Sequence, residues 1–218
     1  MRKLTPFAKK GGDHLARDKT ESHIRIKAVA KQEFLEKGFE NASMREIGKK
    51  AGITPAGLYR HYESKEAMFS DLVDPFIETL MELSHDHETT AYDEFNRTLS
   101  SQAMVKNNVV KMMKGLLEHH RDELKLIVCC SHGTKYESFI NDLVQMETKG
   151  TMEAFNYIRN HGNSIREISE DELHVLLSAY FAAILEPVVH DWPLDKAMRC
   201  LDLVEDFFLP SWKHIMGF

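Results

Sequence analysis

With 218 residues, 43% of them hydrophobic and 28% charged, the chain has the composition of a soluble globular protein and the length for one large core or two modest ones. Three features argue against export, membrane spanning and a disulfide framework: no signal-like apolar run follows Met1-Arg2-Lys3, about twenty consecutive apolar residues occur nowhere, and two of the three cysteines, Cys129 and Cys130, are adjacent, which suits a reducing cytoplasm. The net charge of -6 speaks against a nucleic-acid partner only until it is divided: residues 1–70 carry 15 Lys and Arg against 9 Asp and Glu, residues 71–218 carry 13 against 25, and a basic head on an acidic body can be steered onto phosphates.

Residues 1–19 contain Pro6, Gly11, Gly12 and the basic Arg2, Lys3, Lys9, Lys10, Arg17 and Lys19. They read as a flexible arm, either one that adds phosphate contacts or a plain solvated terminus. From Thr20 to Lys37, Ile26, Val29, Ala30 and Phe34 share one helical face, and Gly38 stops the helix. Ser43 with Glu46 is a capping box that opens a short helix at Met44; Ile47 and Ala51 form its inner face, and Gly52 ends it in a turn reaching Thr54. Thr54 before Pro55 starts a second short helix extending to Tyr62. In it Leu58 and Tyr62 point inward, leaving Ala56, Gly57, Tyr59, Arg60 and His61 outward. Cap, helix, glycine turn, Thr-Pro and helix follow the order of a helix-turn-helix, whose second helix enters the major groove. The competing reading is a helical hairpin buried in an ordinary core. Ser64 caps a fourth helix, with the Lys65 amine free to reach a phosphate, and apolar residues from Met68 to Leu83 carry it to Ser84 past a bend at Pro75.

The polar stretch His85 to Thr90 reads as a loop. Beyond it the pattern predicts helices over 92–99, 103–119, 122–131 and 136–160, with breaks at His132-Gly133 and His161-Gly162. Ser169 with Glu172 makes another capping box, opening a helix that Pro187 kinks or ends. Trp192-Pro193 turns into a last helix from Leu194 to Leu209, able to continue past Pro210 to Ile215. No strand pattern or repeat is present, so the expected fold is all-α.

Catalysis finds no nucleophile elbow, phosphate-binding glycine loop or metal motif to rest on, so no enzyme activity and no cofactor are expected. The pairs His119-His120 and Cys129-Cys130 lack ligand spacing, and neighbours on a helix diverge too far to share one ion. The cysteines read as small core hydrophobes. The body is rich in methionine and aromatic residues, which singly suit a core and together suit an apolar effector pocket between helices. The candidates for its lining are Met81, Met104, Met112, Met113, Leu116, Tyr136, Phe139, Phe155 and Tyr180.

Ile26 to Leu72, with Phe34, Gly38-Phe39, Ile47, Ala51-Gly52-Ile53, Gly57-Leu58-Tyr59, His61-Tyr62 and Ser64-Lys65-Glu66, resembles the DNA-binding domain of the TetR family of bacterial regulators. Gly48 departs from it, standing where the family more often has alanine. The resemblance implies an N-terminal helix-turn-helix domain over residues 20–64, with a dimerising, effector-binding helical domain over 65–218. It further implies a homodimer through the last two helices, phosphate contacts by Tyr59 and Lys65, and a DNA-reading second motif helix. The combined expectation is a cytoplasmic repressor on a pseudo-palindromic double-stranded operator, released by a largely apolar small molecule. Ala56, Gly57, Tyr59 and Arg60 are assigned to the groove, and Ser43, Arg45, Thr54, His61 and Lys65 to the DNA backbone. A small-molecule binding or helical interaction protein whose head has lost operator specificity is the alternative.

Overall fold

The computed structural model describes residues 12–102 and 109–218. Among the described residues there are nine α-helices and no strand: α1 Gly12–Asn41, α2 Met44–Lys50, α3 Pro55–Leu58, α4 Lys65–Thr98, α5 Val109–His119, α6 Arg121–Cys130, α7 Phe139–Asn160, α8 Glu170–Val189 and α9 Leu194–Ile215. The all-α expectation is met, and the chain divides at Leu72 into two compact units.

Several boundaries move. Helix α1 begins at Gly12 rather than Thr20, while residues 1–11 of the expected arm lie outside the described residues. The break at Gly38 stands, because its φ of 71° and ψ of 168° are not helical, and a last turn follows it to Asn41. Helix α3 closes at Leu58, and the chain reaches Tyr62 through turns in which Arg60 N–H donates to Gly57 O and His61 N–H to Leu58 O. The expected loop at His85 to Thr90 does not exist: α4 runs unbroken from Lys65 to Thr98. Helix α7 starts at Phe139, α8 passes Pro187, and α9 passes Pro210 to Ile215.

In the first unit, Ile26, Ala30 and Phe34 of α1 meet Ile47 of α2, Leu58 of α3 and Met68 and Phe69 of α4, all buried. The rings of Phe34 and Phe69 meet edge-on at 5.2 Å, a favoured aromatic geometry. Pro75 gives the lower half of α4 a problem, since it has no N–H for the carbonyl of Asp71 one turn earlier. Lys27 Nζ donates to that carbonyl at 2.6 Å, and its charge also faces Asp71 Oδ2 at 3.3 Å. Tyr62, buried as expected, donates its hydroxyl to Asp71 Oδ2 at 2.7 Å.

Glu33 is fully buried on α1, yet it is paired on both oxygens, with Lys37 at 2.5 Å and Lys50 of α2 at 2.7 Å. Burial pushes its pKa up, and the hydrogen bonds from Lys37 and Lys50 outweigh burial and hold it below the ordinary 4.5. A carboxylate with a depressed folded pKa stabilises fully above its unfolded pKa and loses that contribution as pH falls through the folded one. The head is therefore expected to weaken as pH drops below 4.5, and Glu33→Gln to flatten that acid limb of a chemical-denaturation series. An unchanged acid limb in the variant would show that Glu33 contributes nothing to it.

In the second unit, α8 packs on α6, α7 and α9, α9 also on α5, and α5 on α6. Helix α8 carries the Ser169–Glu172 capping box with both reciprocal bonds, as its sequence predicts. Although it holds no run of twenty apolar residues, α8 is by length and composition long and apolar enough to cross a membrane. Its apolarity is used in this packing: Leu173, Leu177, Tyr180, Phe181 and Ile184 are all buried.

Candidate functional site

The head presents a short helix start held by side chains. Ser43 Oγ accepts from Glu46 N–H at 3.5 Å at the start of α2, and Thr54 Oγ1 accepts from Gly57 N–H at 3.1 Å at the start of α3. Both hydroxyls thus satisfy free helix-end donors. Arg25 Nε reaches from α1 to the carbonyl of Ala51 at 2.9 Å, fixing the far end of α2. Outward on α3 and the turn after it are Pro55, Ala56, Tyr59 and Arg60, all exposed, with Arg45 exposed on α2. Tyr59 keeps 57% of its surface in solvent, which is unusual for a ring with nothing to pack against. His61 is half-buried, its ring centroid 6.1 Å from that of His23.

Two assignments change. Gly57 is buried rather than outward: a Cβ there would lie 2.8 Å from Ile53 Cγ2 and 3.1 Å from the capping Thr54 Oγ1. Its glycine allows α3 to close on the turn. Gly48 has a related role, since a Cβ there would sit 3.2 Å from the carbonyl of Ile53. Lys65, expected to hold a free amine, donates instead to the carbonyls of Phe39 at 2.7 Å, Glu40 at 3.0 Å and Ala42 at 3.1 Å. It closes the C-terminal end of α1, with its ammonium 4.5 Å from the Phe39 ring centroid. Residues 23 to 26 positions apart make these bonds, so no local pattern announces them.

The second unit holds a cavity of about 470 Å³, within the range of small-molecule sites. Of the expected lining, Met81, Met112, Phe155 and Tyr180 face it. Met113 and Leu116 turn into the core instead, Tyr136 is buried with its hydroxyl donating to Asp74 Oδ1, and Phe139 is not part of the wall. Met104 lies outside the described residues. Sequence reasoning missed the polar and aromatic remainder, including His85, His87, Glu88, Tyr92, Glu147 and Trp212. A signal existed: Met81, His85, Glu88 and Tyr92 keep helical spacing straight through the supposed loop.

The charges of this wall are unequal. Burial raises the pKa of Glu147, and the nearby Glu88 carboxylate raises it further. Burial lowers that of His87, helped by Lys111, and burial pushes the Tyr180 hydroxyl up to about 12. Glu205 is answered by Lys114 at 3.5 Å. Away from the cavity, Cys130 is buried as the core reading expects, whereas Cys129 lies exposed on α6. Desolvation still raises both thiols, Cys130 to about 11, which leaves them poor nucleophiles. Among the described residues no cluster of three or more His, Cys, Asp or Glu is placed to hold a metal ion.

Residues 26–72 match the family described as bacterial regulatory proteins, tetR family. The uncharacterized HTH-type transcriptional regulator YdgC of Bacillus subtilis (strain 168) is 43% identical over 56 residues, 26% of this chain and 29% of that protein. The HTH-type transcriptional regulator UidR of Escherichia coli (strain K12) is 36% identical over 61 residues, 28% of this chain and 31% of that protein. The chain thus spans less than a third of the length of either relative. In structure it is similar to NalD, the secondary repressor of the MexAB-OprM multidrug efflux pump in Pseudomonas aeruginosa, with a TM-score of 0.59 over 92% of this chain and 98% of that one. At 17% identity that likeness shows a common fold.

Proposed function

We propose that this chain, whose head belongs to the tetR family of bacterial regulatory proteins, is a sequence-specific DNA-binding repressor. It works in the cytoplasm as a homodimer and leaves its operator when a small molecule fills the cavity of the second unit. The observation that supports this reading best is the capped, solvent-facing row Ala56, Tyr59 and Arg60 with Arg45 on the neighbouring helix. Small and basic side chains along a second motif helix and the turn after it allow close approach to base edges and phosphates. Ser43 and Thr54 keep a DNA role through their backbone N–H neighbours, while their hydroxyls hold the helix starts.

The partner for the body is a second copy. Helix α8 leaves Val175 65% and Val189 51% exposed, and α9 leaves Leu203 69% and Phe207 72% exposed. Val175, Ala182 and Val189 recur every seventh residue along one face, all exposed, which is the spacing of a helix-helix seam. Pairing through these two helices gives a four-helix interface and two heads related by a dyad.

Release follows from linkage. A ligand that binds better when the heads are spaced wrongly for the operator weakens DNA binding by the same coupling free energy, with α4 as the moving element. The test is a titration of the full chain on DNA from its own upstream region and on a scrambled duplex at fixed salt. The upstream DNA is expected to bind at least roughly a thousandfold tighter. Tyr59→Ala and Arg60→Ala should each lose roughly 1–3 kcal/mol of operator affinity, with the fold intact because both side chains are exposed. Unchanged operator binding by both variants would overturn the assignment of this face.

A further inference from the structure

We propose that the cavity of the second unit takes an organic cation, a positively charged nitrogen carried on an apolar aromatic body. This rests on the reading of that cavity as the effector site and narrows what fills it. Its described walls contain Glu88, Glu147 and Glu205 but no lysine or arginine. Glu205 has Lys114 as its counter-charge. Glu147 has no hydrogen-bond or ion-pair partner among the described residues, and it shares the wall with Glu88, the carboxylate that works against its ionisation. Glu147 is half-buried, so its carboxylate is partly desolvated without a counter-charge, and a ligand that brings positive charge offsets that cost. His87 supplies no competing charge, since burial and Lys111 both favour its neutral form.

The rest of the wall suits the body of such a ligand. Tyr180 has its ring centroid 5.0 Å from that of Phe208 and 6.3 Å from that of Trp212, and all three line the cavity with Tyr92 and Phe155. Ring faces attract cations as well as flat apolar groups, most strongly where water is excluded. An anionic effector would meet carboxylates and aromatic faces, both of the wrong sign.

Three probes with one pyrenylalkyl body and different heads test the charge: 4-(1-pyrenyl)butyltrimethylammonium, 4-(1-pyrenyl)butanol and 4-(1-pyrenyl)butanoate. Each is titrated into the full chain without DNA, by calorimetry and by quenching of Trp212, with Trp192→Phe removing the other tryptophan. The cation is expected to bind roughly tenfold or more tighter than the alcohol, and the butanoate most weakly. Glu147→Gln should weaken the cation by roughly tenfold while leaving the alcohol nearly unchanged. Binding of the alcohol or the butanoate as tight as the cation overturns the proposal, as does binding of none of the three. An unchanged cation affinity in both Glu147→Gln and Glu88→Gln overturns it too, and the wild-type comparison stands even if a variant fails to fold. Adding operator DNA afterwards separates the two readings: a cation that binds but does not release DNA keeps the ligand class and sinks the regulatory role.

Discussion

Phe207→Asp is expected to turn the proposed dimer into a monomer at micromolar concentration and to weaken operator binding by about a hundredfold or more, because two linked heads bind far better than one. In the single chain Phe207 is 72% exposed, so the carboxylate costs the folded protomer little. In the proposed dimer the same carboxylate is buried among Leu203, Val175 and their copies without a partner, at a cost of several kcal/mol (roughly 2–7). Sedimentation equilibrium checks the assembly, and a melting scan checks that the protomer is unharmed. A variant that remains dimeric would move the interface elsewhere on the body.

Lys65→Ala is expected to destabilise the head by about 2–3 kcal/mol, read as a shift in urea midpoint. Three carbonyls at the end of α1, those of Phe39, Glu40 and Ala42, share this one ammonium, and alanine leaves them without it. Lys65→Met keeps an apolar stem over the Phe39 ring and loses the donors, so it should show most of the same loss. The outcome distinguishes this role from a phosphate contact. A lysine serving DNA would leave the urea midpoint alone and reduce the salt slope of binding by about one. Under the geometry described, the slope of the folded variant is retained and the midpoint falls.

How far the sequence carried the fold depends on how local each signal was. Ser43, Thr54, Ser64 and Ser169 act within three residues of themselves, and all four hydroxyls cap where their patterns put them. The box read at Ser43 is only half made, the Glu46 side chain not returning the bond that Glu172 returns to Ser169. The stretch from His85 to Thr90 failed for a physical reason: its inward side chains face a cavity and not a packed core, so they are polar, and a helix whose inner face is polar looks like a loop. Helix α5 has one wide apolar face, so the pattern did not say that Met112 at its edge faces the cavity while Met113 and Leu116 face the core. Lys65 and Lys27 failed as signals because their partners, the C-terminal carbonyls of α1 and the carbonyl left open by Pro75, come close only in three dimensions.

Along α3 and the turn after it, the residues that build and the residues proposed to read DNA are separate sets. Gly57 and Leu58 are buried, Thr54 is committed to its cap, and Ala56, Tyr59 and Arg60 hold nothing else in place. Under the proposed function, exchanging those three positions is expected to re-code operator preference with no repacking required beneath them. A library randomised at 56, 59 and 60 should consist mostly of folded proteins that differ in the DNA they choose, whereas one that also varies 57 should lose most of its members before selection begins.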